Sequence, residues 1–583
     1  LFGLSTKDNN WHIKSRGERY MESEDQRTTS SVQEVALQFF LAVILGLVAS
    51  VVANAFVEGA RWFEGYQAAD GMFSTTIAGM DVSFKIFITM GCAALLIIIV
   101  RRVLGITAWS GPAESIYAVQ QSKEPLDIRV GVGSTIAAFI SASGGASVGQ
   151  YGPLVHFGAT ISQILLKLTK INIDKNVFLA CGVAAAISAG FNAPIAGVLF
   201  AHEALLRRFS VGAIAPIAIS SIVAYAANQY LFTIDLAFTV PDMPIPLGPL
   251  IPFLLIAAPL CSLGAIAYMS ALRKGKSMAV ASGWSFAQLS AMCVLVAGCI
   301  GMIFPDVLGL GSLQINQMIN NEFTPAYLLA LLVAKIIITA LCINAGFFGG
   351  VFGPALFVGA AIGGIVAYSA SIFGLPAEMT TAIGVAAMAA VSAAVIGAPL
   401  TVVMIVIELT GSYSYGLASM LCVIVCSFIT YRAFGLSYFD RQLLDRGIDL
   451  KLGREHIALN QSTIDEIPSS DYVKVDLNTS VQATLDKLKA AQTTEAYVCD
   501  DQDMLLGKVN VLELHGIETL KDIMDTQPLA FQGKDSLTHA MEKTREFVGE
   551  SIPVVEEGRL VAALTEGDLF NKVLSVQEAL RKQ

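Results

Sequence analysis

Two stretches far apart in this chain repeat each other. Gly152-Pro153 with Gly158-Ala159 recurs as Gly353-Pro354 with Gly359-Ala360, an offset of 201. Gly182-Val183-Ala184-Ala185 recurs at Gly384–Ala387, an offset of 202. Ala193-Pro194, with Glu203 downstream, recurs as Ala398-Pro399 with Glu408, an offset of 205. Three landmarks in one order at nearly one spacing imply a duplicated unit. Both copies lie where apolar sequence is broken by Gly, Pro and Asn, within Ile128–Phe232 and Asn344–Gly411. In a bilayer, irregular backbone survives only where it packs in protein or lines a cavity. Interrupted segments at matching positions of two halves point to a transport site at the repeat interface.

That reading requires a membrane chain, and the composition supplies one. Of 583 residues, 54% are hydrophobic and only 14% charged, a polytopic membrane composition rather than that of a soluble enzyme. Long apolar runs occur at Val35–Val57, Val82–Val100, Leu247–Leu272, Ala287–Phe304, Ala326–Ile343 and Tyr415–Ala433. Arg101-Arg102 and Arg273, Lys274 and Lys276 follow two of them, as cytoplasmic flanks do. Leu1–Ser31 is polar and reads as a cytoplasmic segment without a cleavable signal; the absence of an initiating Met suggests a trimmed start. No basic stripe points to nucleic acid. The nine cysteines have no metal-ligand spacing, and Cys422 and Cys426 read as helix packing.

From about Arg454 the chain turns polar, and much of the net charge of −10 lies there. Helix Ser480–Ala491, strands Ala496–Cys499 and Gly507–Val511, and helix Glu513–Thr519 are expected. A similar order follows: helix Ser536–Phe547, strands Ile552–Val555 and Leu560–Leu564, and a helix from Glu566. This is a second, smaller repeat.

The chemistry concentrates at Gly144–Ala159, GGASVGQYGPLVHFGA, a glycine-crowded turn opening into an apolar helix. Glycines admit close backbone approach, and the free amides of a helix start favour an anion. Half of an anion pathway is the expectation.

These residues resemble the CLC family of chloride channels and anion/proton exchangers, followed by a pair of CBS domains. The likeness rests on Gly349-Gly350-Val351-Phe352-Gly353-Pro354, on Phe191–Gly197 (FNAPIAG), on Pro399-Leu400-Thr401 with Glu408-Leu409-Thr410-Gly411, and on Gly149, Gly152, Pro153 and His156 of the family's G[KR]EGPxxH motif. The resemblance implies an all-α polytopic fold of two repeated halves with broken helices, a homodimer with one pore per subunit, and a small cytoplasmic α/β CBS pair. The expected layout is a cytoplasmic segment 1–33, a membrane domain 34–450 with halves of about 34–232 and 247–434, a linker 451–460 and the CBS pair 461–583.

The departures from the family carry the functional expectation. Tyr151 stands where the family has its gating glutamate, and the internal proton-relay position next to Glu203 is Ala204. A phenol with an ordinary pKa near 10 is a poor proton shuttle at neutral pH. The family's proton route is therefore expected to be lost, while Tyr151 plugs the path or donates to the anion. In the family's GSGIP loop this chain has Trp109-Ser110-Gly111-Pro112-Ala113, keeping the serine ligand. The family's central tyrosine aligns with Phe439, or with Tyr438 after a one-residue slip. The expected pathway residues are Ser110, Gly111, Gly149, Gln150, Tyr151, Gly152, Val351, Phe352 and Phe439, with backbone amides supplying selectivity.

Against these, Glu203 and Glu408 are expected to be structural, His156 and His202 packed (His202 alternatively a substitute relay), and Lys335 snorkelling or paired. Thr565 and Asp568 match the motif with which CBS pairs hold adenine nucleotides, so a nucleotide site or a purely dimerising tail both fit. No cofactor is required. The expected function is passive anion transport, chloride first, by an integral protein of a bacterial inner membrane with both termini cytoplasmic. Other readings are a uniporter or exchanger for bicarbonate or nitrate, and a CBS-linked membrane sensor without transport. Nothing suggests an enzyme.

Overall fold

A computed structural model describes residues 32–68, 74–77, 80–121, 125–169, 174–232, 240, 245–514 and 519–581. Nearly all of the expected segment 1–33, and residues 515–518 of the expected helix Glu513–Thr519, lie outside the described residues. Among the described residues, nine helices are long and apolar enough to cross a membrane. The chain divides into two compact units, the first ending at Gln442.

The first unit opens with α1 (Val32–Ala68), two short antiparallel strands, β1 (Ser74–Ile77) and β2 (Met80–Ser83), and α2 (Lys85–Val103). Its first half continues through α3 (Pro112–Gln120), α4 (Ile128–Ser143), α5 (Tyr151–Thr169), α6 (Lys175–Phe191), α7 (Pro194–Phe200) and α8 (Val211–Leu231). The second half runs through α9 (Ile251–Ala281), α10 (Phe286–Ile303), α11 (Ser312–Ile319), α12 (Pro325–Asn344), α13 (Phe352–Ile372), α14 (Ala377–Ile396), α15 (Pro399–Thr410) and α16 (Tyr413–Phe434). A short helix, α17, begins at Tyr438 and ends at Leu444.

The duplication is visible in the backbone. Helices α5, α6 and α7 follow the same order as α13, α14 and α15. α6 ends at Asn192 with φ +54° and α14 at Gly397 with φ +75°, both left-handed. The next residues, Ala193 and Ala398, both have φ −131°, and a proline then opens the following helix. A left-handed cap satisfies the last carbonyls of one helix, and proline suits the first position of the next. The two breaks leave α7 and α15 only 7 and 12 residues long.

Glycine sets the packing distance within each half. A Cβ on Gly158 would lie 2.2 Å from the Gly182 carbonyl oxygen, and one on Gly363 would lie 2.7 Å from Gly384 Cα. α5 against α6, and α13 against α14, thus touch backbone to backbone, the close approach that membrane helices use in place of a hydrophobic driving force. A buried polar clamp ties α1 to α8 and α6: Ser50 Oγ and Asn54 Nδ2 each donate to Asn228 Oδ1 at 2.6 Å, and Asn228 Nδ2 donates to the Ala189 carbonyl at 2.7 Å.

The second unit contains α18 (Gly453–Gln461) and then two copies of one pattern. The first is β3 (Val473–Asp476), α19 (Val481–Ala491), β4 (Glu495–Cys499) and β5 (Leu505–Asn510); the second is β6 (Phe531–Gln532), α20 (Leu537–Lys543), β7 (Ile552–Glu556), β8 (Arg559–Leu564) and α21 (Glu566–Arg581). Each sheet has a central strand with a parallel neighbour on one side and an antiparallel one on the other. Serine starts the first helix of each copy: Ser480 and Ser536 accept from Ala483 N and His539 N.

Three expectations change here. Most of the residues expected as a linker, 451–460, form α18, with Ile457 and Ala458 buried. The helix expected over Ser536–Phe547 stops at Lys543 and tightens into a 3-10 turn, Thr544–Glu546. The outer strands β3 and β6, of four and two residues, were not expected; β6 is too short to show a pattern, while the Val-Lys-Val-Asp alternation of β3 was passed over.

Candidate anion pathway

The two broken halves meet at Gly149 and Gly350. Gly149 N–H donates to the Gly350 carbonyl at 2.7 Å and Gly350 N–H donates back to the Gly149 carbonyl at 2.6 Å. A Cβ on Gly149 would lie 2.9 Å from Gly350 O and Gly353 N, so only glycine fits. This two-bond bridge brings the starts of α5 and α13 together. The first N–H groups of a helix have no partner within it, and the helix dipole is positive there.

Two other helix starts in the same repeats are already filled by the protein's own carboxylates. Glu203, in a π-helical turn over Ala201–Leu206, accepts from Leu400 N at 3.0 Å, Thr401 N at 2.8 Å and Thr401 Oγ1 at 2.7 Å, at the head of α15. Glu408, on α15, accepts from Ile195 N and Ala196 N at 2.8 Å each, at the head of α7. Each half thus closes the helix start of the other. The two intramembrane acids are bound as caps, in accord with a structural role.

At the heads of α5 and α13 the groups are aromatic instead. Tyr151, 9% exposed, lies flat on Phe191, ring centroids 3.7 Å apart and planes at 14°. Phe352 stands edge-on to both, at 5.6 Å and 88° to Tyr151 and 5.2 Å and 83° to Phe191. Two crevices of about 20 Å³ each share the Phe191 and Phe352 walls, each with room for about one water. Phe439, 5% exposed, lines the crevice that also holds Tyr151, together with Phe200, Val155 and Ile187. The lining residue at the start of α17 is therefore Phe439, and Tyr438 is not among the crevice residues. An Arg207–Asp440 ion pair fixes α17 beside the end of the π-helical turn. Behind the α13 start, Tyr268 Oη donates to the Val351 carbonyl at 3.1 Å.

Several expected donors are already occupied. Gly149 N–H is used by the bridge, Gly111 N–H donates to Glu114 Oε2 at 2.6 Å, and Ser110 N–H donates to Ser134 Oγ at 2.9 Å. Amides around Ser110 and Gly149 were expected to serve an anion; in the structure these three donate to protein acceptors instead. Gln150 is buried with Oε1 lacking a hydrogen-bond partner, and Gly152 packs on Gly350 Cα at the start of α5. Val351 caps α13 and Phe352 begins it, so the first amides of α13 face the junction.

The remaining polar residues are packed. His156 Nδ1 lies 2.7 Å from Ser115 Oγ, and His202 Nδ1 lies 3.0 Å from the Arg208 carbonyl with its ring stacked on Phe209. Lys335 does not snorkel. It is fully buried, donates to the Val307 and Gly309 carbonyls at 2.9 and 3.3 Å and sits over the Phe357 ring. Ala204 is buried and offers no proton carrier. Sequence reading passed over Phe200, Tyr268 and Glu114; Phe191 was visible only as the first letter of its motif.

In the second unit, Asp568 Oδ2 accepts from Thr565 N–H and Thr565 Oγ1 at 2.8 Å and from Ser470 Oγ at 2.6 Å. Burial pushes its carboxyl up, but the Ser470 and Thr565 hydrogen bonds outweigh that and hold it below the usual carboxylate range. Thr565 and Asp568 are thus together, with the carboxylate already satisfied.

Paired helix starts bridged between two halves rich in membrane-length apolar helices, in a chain that also carries a polar unit of two matched α/β copies, define the class of membrane anion channels and transporters. The chain belongs to the voltage gated chloride channel family, whose model matches residues 90–431, and the CBS domain model matches residues 520–575. It is 26% identical over 461 residues to chloride channel protein CLC-f of Arabidopsis thaliana, covering 68% of this chain and 59% of that protein. It is 26% identical over 333 residues to the voltage-gated ClC-type chloride channel ClcB of Shigella flexneri, covering 55% of this chain and 77% of that one. The fold is similar to that of a slow cyanobacterial Cl⁻/H⁺ antiporter (TM-score 0.62, 21% identity, 70% of this chain and 97% of the other). It is also similar to that of a eukaryotic CLC transporter (TM-score 0.61, 18% identity, 92% and 99%).

Proposed function

We propose that this chain moves inorganic anions, chloride among them, passively across a membrane and without coupling to protons. One observation carries the reading: the group at the junction of the two helix starts is the Tyr151 phenol, stacked on Phe191, where an exchanger of this family needs a carboxylate. The two nearby acids, Glu203 and Glu408, are consumed as caps, and Ala204 cannot relay a proton. The anion's partners would be the backbone N–H groups of Tyr151, Gly152, Phe352 and Gly353, the Tyr151 hydroxyl and, at the approach, Ser110; Pro153 and Pro354 have no N–H to offer. The test is anion efflux from chloride-loaded liposomes containing purified protein, recorded with external pH. Efflux without proton movement supports the reading; chloride efflux that drives protons uphill overturns the uncoupled part of it. Absence of flux for any anion favours the sensor alternative.

We also propose a homodimer joined across the face of α7 and α15. Ile195 and Leu400, at the two carboxylate-capped helix starts, are 54% and 57% exposed, and a capped carboxylate edge facing lipid is costly. A partner covering that face removes the cost. Cysteine cross-linking at Ile195 and Leu400 in membranes tests it. For the CBS pair, an adenine nucleotide at Thr565 and Asp568 would have to displace bonds those groups now make to each other and to Ser470. Equilibrium dialysis of ATP against the full chain and Asp568→Ala decides between a regulatory site and a structural tail.

A further inference from the structure

The walls of the constriction say which anions can pass it. Each crevice beside the Phe191 and Phe352 rings has room for about one water, so a passing anion has to part the rings and meets them without its hydration shell. On one side the remaining walls include Val155, Ile187, Phe200 and Phe439; on the other they include Leu356, Val385, Met388 and Val402. Hydroxyl compensation for lost water is sparse. Phe439 has no hydroxyl, Ser110 is not among the residues lining either crevice, and the Gly111 and Gly149 amides are taken by Glu114 and Gly350. What remains is the N–H groups of Tyr151, Gly152, Phe352 and Gly353, the Tyr151 hydroxyl, and the edges of aromatic rings, the positive rim of their quadrupole.

A buried charge without full hydrogen bonding is penalised according to how strongly water held it. A compact anion loses most. A large, polarisable anion loses least and gains dispersion contacts against the rings. We propose that this constriction selects anions of low charge density, thiocyanate and nitrate ahead of chloride and with fluoride excluded, and that the hydroxyl count at Phe439 and Tyr151 sets the order. The inference rests on the anion-pathway reading above.

The experiment measures initial efflux of thiocyanate, nitrate, chloride and fluoride from liposomes carrying the full chain, each corrected for protein-free vesicles. Thiocyanate and nitrate are expected to leave at least about fivefold faster than chloride, the ratio for roughly 1 kcal/mol, with fluoride at background. Phe439→Tyr adds a hydroxyl and should lower the thiocyanate-to-chloride ratio by about threefold to tenfold, the worth of one hydrogen bond. Tyr151→Phe, which keeps the stack on Phe191, should raise it. Chloride flux equal to or faster than that of nitrate and thiocyanate overturns the selectivity and leaves the anion pathway standing. Unchanged ratios in both variants overturn the role given to the two positions. Failure of every anion to move overturns the pathway reading and this inference with it.

Discussion

Tyr151 lies against Phe191 with ring centroids 3.7 Å apart, a contact between the first residue of α5 and the last of α6. Phe352, from the other half, meets both rings edge-on. Tyr151 is therefore a packing element shared by the two halves, and under the proposed function the same side chain would also gate the path.

Removing that ring should open the path and weaken the fold together. Tyr151→Ala is expected to raise chloride efflux severalfold and to cost about 3 kcal/mol of stability, the loss typical of a buried aromatic truncation. Tyr151→Phe should leave the melting temperature close to that of the parent. Liposome flux and thermal unfolding in detergent check both.

Restoring one acid should not restore coupling. Tyr151→Glu alone is expected to make chloride flux rise as the carboxylate protonates, with no uphill proton movement. Tyr151→Glu with Ala204→Glu should move protons against their gradient when chloride is driven. Parallel chloride and pH electrodes distinguish the two outcomes.

The exchanged caps should show as stability. Glu203→Gln loses charge-assisted bonds from Leu400 N, Thr401 N and Thr401 Oγ1, and Glu408→Gln those from Ile195 N and Ala196 N. Each is expected to cost about 1.5–3 kcal/mol, with Glu203→Gln the greater. Thermal unfolding of each variant measures it, and proton movement in the flux assay should stay unchanged.

Glycine at the α5–α6 contact should be indispensable. A Cβ on Gly182 would lie 2.1 Å from the Gly158 carbonyl oxygen. Gly182→Ala must push the helices apart, at a cost of about 1–3 kcal/mol or more, and move Tyr151 off Phe191. Gly91, in α2, has open space around it, so Gly91→Ala should be neutral or stabilising by about 0.5–1 kcal/mol. Size-exclusion profiles and melting temperatures compare the pair.

The tail should weaken in acid. Asp568 is held below the usual carboxylate range when folded, so its contribution is present above the unfolded value of about 3.9 and is lost as pH falls through the lower folded value. Asp535, held low by Gln532 and Lys543 against the opposing effect of burial, adds to the same trend. Limited proteolysis of the full chain should show cutting after Gln442 rising only below about pH 4. In Asp568→Asn that rise should shrink to the share left by Asp535.

Much of this was legible in the residues. The 201–205 offset announced two halves, and the structure renders it as matched left-handed caps at Asn192 and Gly397, each followed by Ala-Pro. Those features are local: a cap, a proline and a glycine contact are fixed by residues near one another in sequence, so they leave a pattern. Ser480 and Ser536, read only as the first residues of two helices, are their N-caps in the structure. The two-residue β6 and the short helix inside the expected linker were not legible, because their stability comes from neighbours rather than periodicity; β3 was missed although its Val-Lys-Val-Asp alternates.

The sequence by itself determined that this is a duplicated membrane chain with a polar tail that repeats a smaller unit. Only the tertiary structure decided which donors remain for an anion. Gly149 is claimed by Gly350, Leu400 and Thr401 by Glu203, and Ile195 and Ala196 by Glu408. A hydrogen bond between residues some two hundred positions apart leaves no mark in either segment alone. Its existence depends on how two halves meet, and that meeting sets both the aromatic closure around Tyr151 and the few amides left beside it.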